Sequence, residues 1–290
     1  MTIEVGVDTL CWHMRLEAGA ITVDAVLDDA AALGVSVVAV NLHHLRERSL
    51  ADHAALAGRA AEAGLRLLAQ GDFVGSPRRG DRPDTGAARI LAWLERAVAL
   101  GSPTLRLASG FYRAELAARP ELIEAERRYV TDVLRAAAPS AAEAGVRLAL
   151  ENHSDFTIDE YEAIVADVGT EHMGVFLDLI NPIVTFDDPL RAIARLAPHA
   201  RCGHVRDFEL RSVQQPDSYH RRGFDVRYRY PGEGVAPLPT LLSALVATVG
   251  DRPYDLLIEG LDSRAHVDDQ HERLSRAVPL VRRLLAEAAA

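Results

Sequence analysis

The sequence of 290 residues predicts an α/β fold, a single (β/α)8 barrel over residues 1–290. Three observations predict it: eight short apolar runs, a helix-period pattern after each, and glycines that close the helices. A chain of this length could hold two average domains, yet barrels of this class routinely use it as one. No Pro/Gly/Ser-rich linker divides the sequence.

The runs fall at 3–10, 35–42, 65–70, 104–108, 146–151, 173–179, 200–205 and 254–259, each rich in β-branched and aliphatic residues. Such runs suit strands buried on both faces. Between them apolar residues recur at helical spacing, as Ile90, Leu91, Leu94, Ala97 and Val98 do. Gly34, Gly64, Gly101, Gly145, Gly169 and Gly250 each stand between a helical pattern and the next strand, where a left-handed cap is expected. Helix starts are marked as well: Thr157 and Glu160 have capping-box spacing, and Pro189 follows Asp188 as a first-turn proline follows its cap.

Alternating β and α elements imply parallel strands joined by right-handed crossovers, hence a closed barrel or a doubly wound sheet. Eight units favour closure. The first turn, TLCWHMRLEAG, carries nothing like the G-x-G-x-x-G fingerprint that a dinucleotide-binding sheet wants there. The longest irregular stretch, 209–234 after the seventh strand, exceeds the usual length of a connection. Its Arg221, Arg222, Arg227 and Arg229 fit either contacts to an acidic substrate or a partner, or a merely solvated basic insertion.

Composition narrows the function. A hydrophobic share of 49% and a charged share of 26% allow a large core in an ordinary globular protein. The formal charge of −10 repels a phosphate backbone, and no basic stripe interleaved with aromatics offsets it, so nucleic acid is not expected as a partner. No apolar run approaches the roughly 20 residues of a membrane span, and MTIEVGVDTL has no basic region before an apolar one, so a cytoplasmic location is expected. Cys11 and Cys202 are too few for a disulfide framework and are expected as packed residues. Among the 11 histidines, His43, His44, His53, His220, His266 and His271 fall in loop or polar-helix contexts, which predicts solvent exposure for most of them.

Barrels of this class carry their chemistry at the C-terminal ends of the strands, so a polar residue ending an apolar run is informative. Four strands supply one: RLALENH offers Glu151, GVFLDL Asp178, RCGHVRD His204, and DLLIEG Glu259. Each alone could be a strand-end residue facing solvent or pairing with Arg147, Arg201 or Arg206. Three carboxylates beside one core cost several kcal/mol unless a cation offsets them. With an imidazole as fourth donor, the set suits one divalent metal, Mn²⁺ or Mg²⁺ ahead of Zn²⁺ or Co²⁺.

The motifs LALENH, GVFLDLIN, GHVRD, PGEG at 231–234 and LLIEG resemble those of the xylose-isomerase-like TIM-barrel family of sugar isomerases and epimerases, which also includes endonuclease-IV-type enzymes. The resemblance covers essentially the whole chain. It implies that Glu151, Asp178, His204 and Glu259 bind one divalent metal, commonly manganese, and that Glu151 and Glu259 also transfer protons beside a carbonyl of a small-molecule carbohydrate or polyol. It implies a dimer or tetramer too. Elimination from a keto-polyol ring or an oxidised C-glycoside begins with the same proton abstraction, so a lyase is the alternative. A non-catalytic binding subunit, which would predict a broken donor set, is the second. An endonuclease would need more histidine and acidic ligands and a basic groove.

Strand alternation puts His153 on the face of Glu151 and Arg206 on that of His204, as candidates for substrate hydroxyls and oxyanions. Trp12 is a candidate apolar wall, with core packing as the competing expectation. Gln70 and Asp72 are similarly placed after strand three, and Glu233 is expected to organise its loop. Many sugar-handling members have a histidine where this chain has Asn181, which can hydrogen-bond a substrate but cannot carry a proton. That departure loosens the inference about substrate more than the one about metal.

Overall fold

The computed structural model describes residues 3–169, 171, 173–213, 223–261 and 269–290. Its strands are β1 (Ile3–Asp8), β2 (Val37–Asn41), β3 (Arg66–Phe73), β4 (Thr104–Ala108), β5 (Arg147–Glu151), β6 (Met173–Asp178), β7 (Ala200–Val205), β8 (Asp207–Ser212), β9 (Phe224–Arg229) and β10 (Tyr254–Ile258). Eight of them close in the order β1-β10-β7-β6-β5-β4-β3-β2, parallel throughout. The predicted barrel is therefore the observed fold, and each predicted run falls on one barrel strand, with β3 extending three residues past its run to Phe73.

Side chains alternate between two cores. Val38, Val40, Leu67, Ala69, Leu148, Leu150, Val175 and Leu177 pack outward into the cluster shared with the helices. Val37, Ala39, Leu68, Ala149, Phe176, Cys202 and Leu257 form a separate cluster from alternate positions, the filling of the barrel interior. The helix Pro83–Ala99 turns Ile90, Leu94 and Ala97 inward, whereas Leu91 and Val98 face solvent. Both cysteines are buried.

The predicted capping box at Thr157 and Glu160 and the proline start at Asp188-Pro189 are both present. Gly34, Gly64, Gly101 and Gly145 have the left-handed φ expected of helix stops, between 65° and 72°. Gly169 and Gly250 depart from that expectation: their ψ angles of 127° and −131° take the chain out in extended form instead.

Two further expectations are corrected. The stretch 209–234 does not begin as irregular chain, because β8 and β9 pair as an antiparallel ribbon from Asp207↔Arg229 to Ser212↔Phe224. Period-two alternation in FELR and DVRYR supplies its register. Within that stretch, Arg221 and Arg222 lie outside the described residues, as do His220 and His266. His53 is buried, not solvated: it shares the inner face of its helix with Leu56 and Ala60, and its Nδ1 meets the Ser49 carbonyl at 2.7 Å. No helix of the described residues is long and apolar enough to cross a membrane.

Candidate metal centre

The parity that fills the barrel also builds its mouth. Two residues beyond Ala149, Phe176, Cys202 and Leu257 stand Glu151, Asp178, His204 and Glu259, so the four predicted ligands inherit the inward direction of interior residues. All four are buried. Strand order places Asp178 and His204 in the middle of an arc, with Glu151 and Glu259 at its two ends.

They meet at the His204 ring. Its Nδ1 lies 3.5 Å from Glu151 Oε1, 3.9 Å from Asp178 Oδ2 and 3.6 Å from Glu259 Oε2. The other ring nitrogen, Nε2, is 2.9 Å from Asp8 Oδ2, and Asp8 also accepts a 2.7 Å hydrogen bond from the Gln70 amide. A carboxylate can only accept, so Asp8 holds a proton on Nε2 and thereby turns Nδ1 toward the three carboxylates.

The donor atoms fit a cation. Glu151, Asp178 and His204 offer atoms within 4.8 Å of one another, and so do Asp8, His204 and Glu259. His204 Nδ1, Asp178 Oδ2 and Glu259 Oε2 are buried without an aligned hydrogen bond, and Arg206 ion-pairs with the two oxygens. Buried polar atoms are normally satisfied, and an imidazole nitrogen facing three clustered carboxylates matches the donor types of a divalent ion.

Charged partners from the chain itself surround these donors. Arg106 binds the second oxygen of Glu151. Arg206 lies between two of the carboxylates, with Nη2 2.8 Å from Asp178 Oδ2 and Nη1 against Glu259 Oε2. Burial works against the Glu151 charge, but Arg106 and His204 outweigh it and hold this carboxyl well below the usual range. Burial pushes Asp178 up, opposed by Arg206 and assisted by repulsion from Glu151 and Glu259. For His204, burial is outweighed by Glu259, Asp8 and Glu151, and the ring is pushed up to about 10.

Asn181 joins this network. Its Oδ1 accepts from Arg206 at 2.7 Å and from the Tyr228 hydroxyl at 3.1 Å, while its Nδ2 reaches Glu151 Oε1 at 3.4 Å. Arg206 stacks over the Tyr228 ring at 3.7 Å. Tyr228 also lines a cavity of about 850 Å³ at the barrel mouth, with Arg211, Arg229, Glu233 and Arg273 on its walls. The ribbon thereby connects the donor cluster to open space.

The remaining predicted contacts divide. His153 points its ring into an aromatic group, 6.0 Å from Phe73 and 5.7 Å from Tyr112, and its backbone N–H donates to the Tyr161 hydroxyl. Trp12 packs in the main core with 1% exposure, the packing alternative of its prediction. Gln70 reaches the centre through Asp8, whereas Asp72 is exposed and bonds the neighbouring Phe73 N–H. Glu233 reaches out of its loop to Arg273 on the helix Gln270–Ala288, at 3.0 Å, whereas Asp207 organises the loop by accepting from the N–H groups of Gly232, Gly234 and Ala236. Sequence reasoning missed Asp8, Arg106 and Tyr228. Asp8 ends the run IEVGVD as the four ligands end theirs, and that signal could have found it.

A mouthful of converging acids and an imidazole on a parallel barrel is the layout of a metal-binding (β/α)8 protein. The chain belongs to the xylose isomerase-like TIM barrel family, whose model matches residues 27–276. Among curated proteins it is similar to the uncharacterized protein YihM of Escherichia coli K12, 25% identical over 111 residues, or 38% of this chain and 32% of that protein. The match thus spans about a third of the length of that relative. Solved structures with the same fold include the IolI protein with a bound zinc atom (TM-score 0.75, 16% identity, 98% of this chain and 99% of that one). D-psicose 3-epimerase in the presence of D-fructose has a TM-score of 0.72, with 19% identity over 97% and 99% of the chains. The probable 3-DHS dehydratase AsbF of Bacillus anthracis has a TM-score of 0.71, with 13% identity over 96% and 98%.

Proposed function

We propose that this chain is a divalent-metal-dependent isomerase or epimerase that moves a proton beside a carbonyl of a carbohydrate or polyol. One observation carries the reading: three carboxylates from three strands face the His204 Nδ1, while Asp8 fixes the opposite side of the ring. Glu151, Asp178, His204 and Glu259 would hold the metal, with Mn²⁺ first by donor type and Mg²⁺, Co²⁺ or Zn²⁺ as alternatives. A divalent ion supplies Lewis-acid polarisation of substrate oxygens, which lowers the barrier to removing the adjacent proton.

The chain's own residues do the rest. Glu151 and Glu259 occupy opposite ends of the four-strand arc, so one removes the proton and the other supports its return to the carbon. Arg106 holds Glu151 by one oxygen and thereby orients the second. Arg206 and Asn181, joined at 2.7 Å, orient a substrate oxyanion or hydroxyl together with Tyr228, and His153, set among Phe73 and Tyr112, offers its ring to a substrate hydroxyl from the aromatic side. The epimerase among the similar structures supports this reading.

Asn181 favours a second reading. It cannot carry a proton where many sugar-handling relatives place a histidine, and the dehydratase AsbF shares the fold. Elimination of a β-leaving group from a keto-polyol ring or an oxidised C-glycoside would start from the same proton abstraction. Incubation in D2O with ketoses, inososes, 3-dehydroshikimate and oxidised glycosides, followed by mass spectrometry, separates the two. Deuterium uptake without loss of mass is expected; loss of water or an aglycone selects the lyase, and silence across the panel leaves a binding subunit. On a substrate so found, Glu259→Gln should lower kcat about 10²–10⁴-fold with the fold intact, and full activity would overturn its proton-transfer role.

A further inference from the structure

A second group of metal-type donors lies outside this centre, at the same end of the barrel. The strands β1 and β2 are neighbours, paired through Val7↔Val38 and Asp8↔Ala39, so the segments that follow them emerge side by side. His13 opens the short helix His13–Glu17 after β1, and His44 lies in the 3₁₀ turn Leu42–Leu45 after β2. His13 Nδ1 and His44 Nε2 face each other at 2.9 Å. Glu17 stands four residues after His13, the spacing that puts two side chains on one helix face, and offers an oxygen within 4.8 Å of both histidine donors.

We propose that His13, His44 and Glu17 form a second divalent-cation site, selective for a borderline ion such as Zn²⁺. The two ring nitrogens, 2.9 Å apart, need to part by only about 0.4 Å to reach the spacing of tetrahedral ligands each about 2.0–2.1 Å from one zinc. The far side of His44 is fixed as a ligand's should be: Nδ1 lies 3.1 Å from Thr9 Oγ1, which also accepts the Asn41 N–H. His43 and Arg46, at 3.3 Å and 3.1 Å from Glu17 Oε1, steer that carboxylate from its other side. Ions can reach the group, because His13 borders the 850 Å³ cavity and His44 and Glu17 border one of about 230 Å³. Two imidazoles and one carboxylate suit zinc better than the carboxylate-rich centre does, so the two sites prefer different ions.

Zinc binding to the full chain tests this without any substrate. Protein stripped with a chelator is titrated with Zn²⁺ in a calorimeter, then desalted and its zinc counted by mass spectrometry. The wild type, His13→Gln, His44→Ala and Asp178→Asn are compared, with circular dichroism to verify folding. We expect His13→Gln and His44→Ala each to lose one zinc per chain relative to wild type, while Asp178→Asn keeps that ion. If either histidine variant retains the wild-type count and affinity, the facing rings are only a hydrogen bond between neutral imidazoles and the proposal is overturned. His13 is only partly buried, so its variant gives a decisive count even if His44→Ala does not fold.

Discussion

Asp8 and Glu126 show how much a single buried carboxylate depends on what it touches. Asp8 acts through His204, whose ring is also packed edge-on against Phe176 with centroids 4.5 Å apart. Replacing such a supporting partner of a metal-ligating histidine costs about 10–100-fold in affinity. Asp8→Asn should therefore weaken Mn²⁺ binding by that factor in a titration followed by electron paramagnetic resonance; unchanged affinity would mean that Phe176 and Gln70, whose amide lies 3.2 Å from His204 Nε2, orient the ring without Asp8. Glu126 lies far along the chain from every ligand, in the helix Pro120–Glu143, with one oxygen held by Ser76 at 2.5 Å and the other without a hydrogen bond. Burial raises its pKa, with Ser76 opposing. The folded state thus prefers the protonated form, and the stability that preference contributes is present at acid pH and lost as pH rises through the raised value. Glu126→Gln should raise Tm at pH 7, with the gain disappearing below about pH 4, where glutamate is protonated in the unfolded chain too. An equal gain at both pH values would point to packing instead of charge.

At the scale of elements, the strand ends determine where chemistry can occur. The four metal-type residues were legible in sequence because each closes an apolar run, and a barrel turns all such ends to one side. Asp8 obeys the same rule, but its nearness to His204 arises only when β1 closes against β10, a contact between the two ends of the sequence. Arg106 sits inside the run TLRLA, where no local pattern announces that its side chain reaches Glu151 on the next strand. The ribbon was hidden because its apolar residues alternate with so many charges that the stretch reads as loop. Gly203 shows the tightness of β7: an added Cβ would collide with the Leu177 carbonyl on β6 and come within 2.6 Å of the Tyr254 hydroxyl. Gly203→Ala should cost about 1–3 kcal/mol in urea unfolding and also weaken metal binding, since His204 is the next residue. A full-strength metal site in that variant would show that β7 yields without moving its neighbour.

Over the whole molecule, the donor cluster ties together β5, β6, β7 and β10, so an ion held there would link four strands of one closed sheet. A ligand bound only by the folded state stabilises it, by about 2.7 kcal/mol at a concentration 100 times its Kd. Thermal unfolding with and without Mn²⁺ should show a Tm rise that grows with metal concentration and is absent in Asp178→Asn; an equal rise in that variant would place the stabilising ion elsewhere. The centre also carries its own charge balance. Asp8, Glu151, Asp178 and Glu259 face Arg106, Arg206 and a readily protonated His204, so the acids do not have to wait for a metal before they can be buried together. Such a mouth works as an ion exchanger supplied with its own counter-ions. On the proposed reading the chain would fold first and be loaded afterwards, and the ion it took up would then be chosen by what its surroundings supply, not by the order in which the barrel assembles.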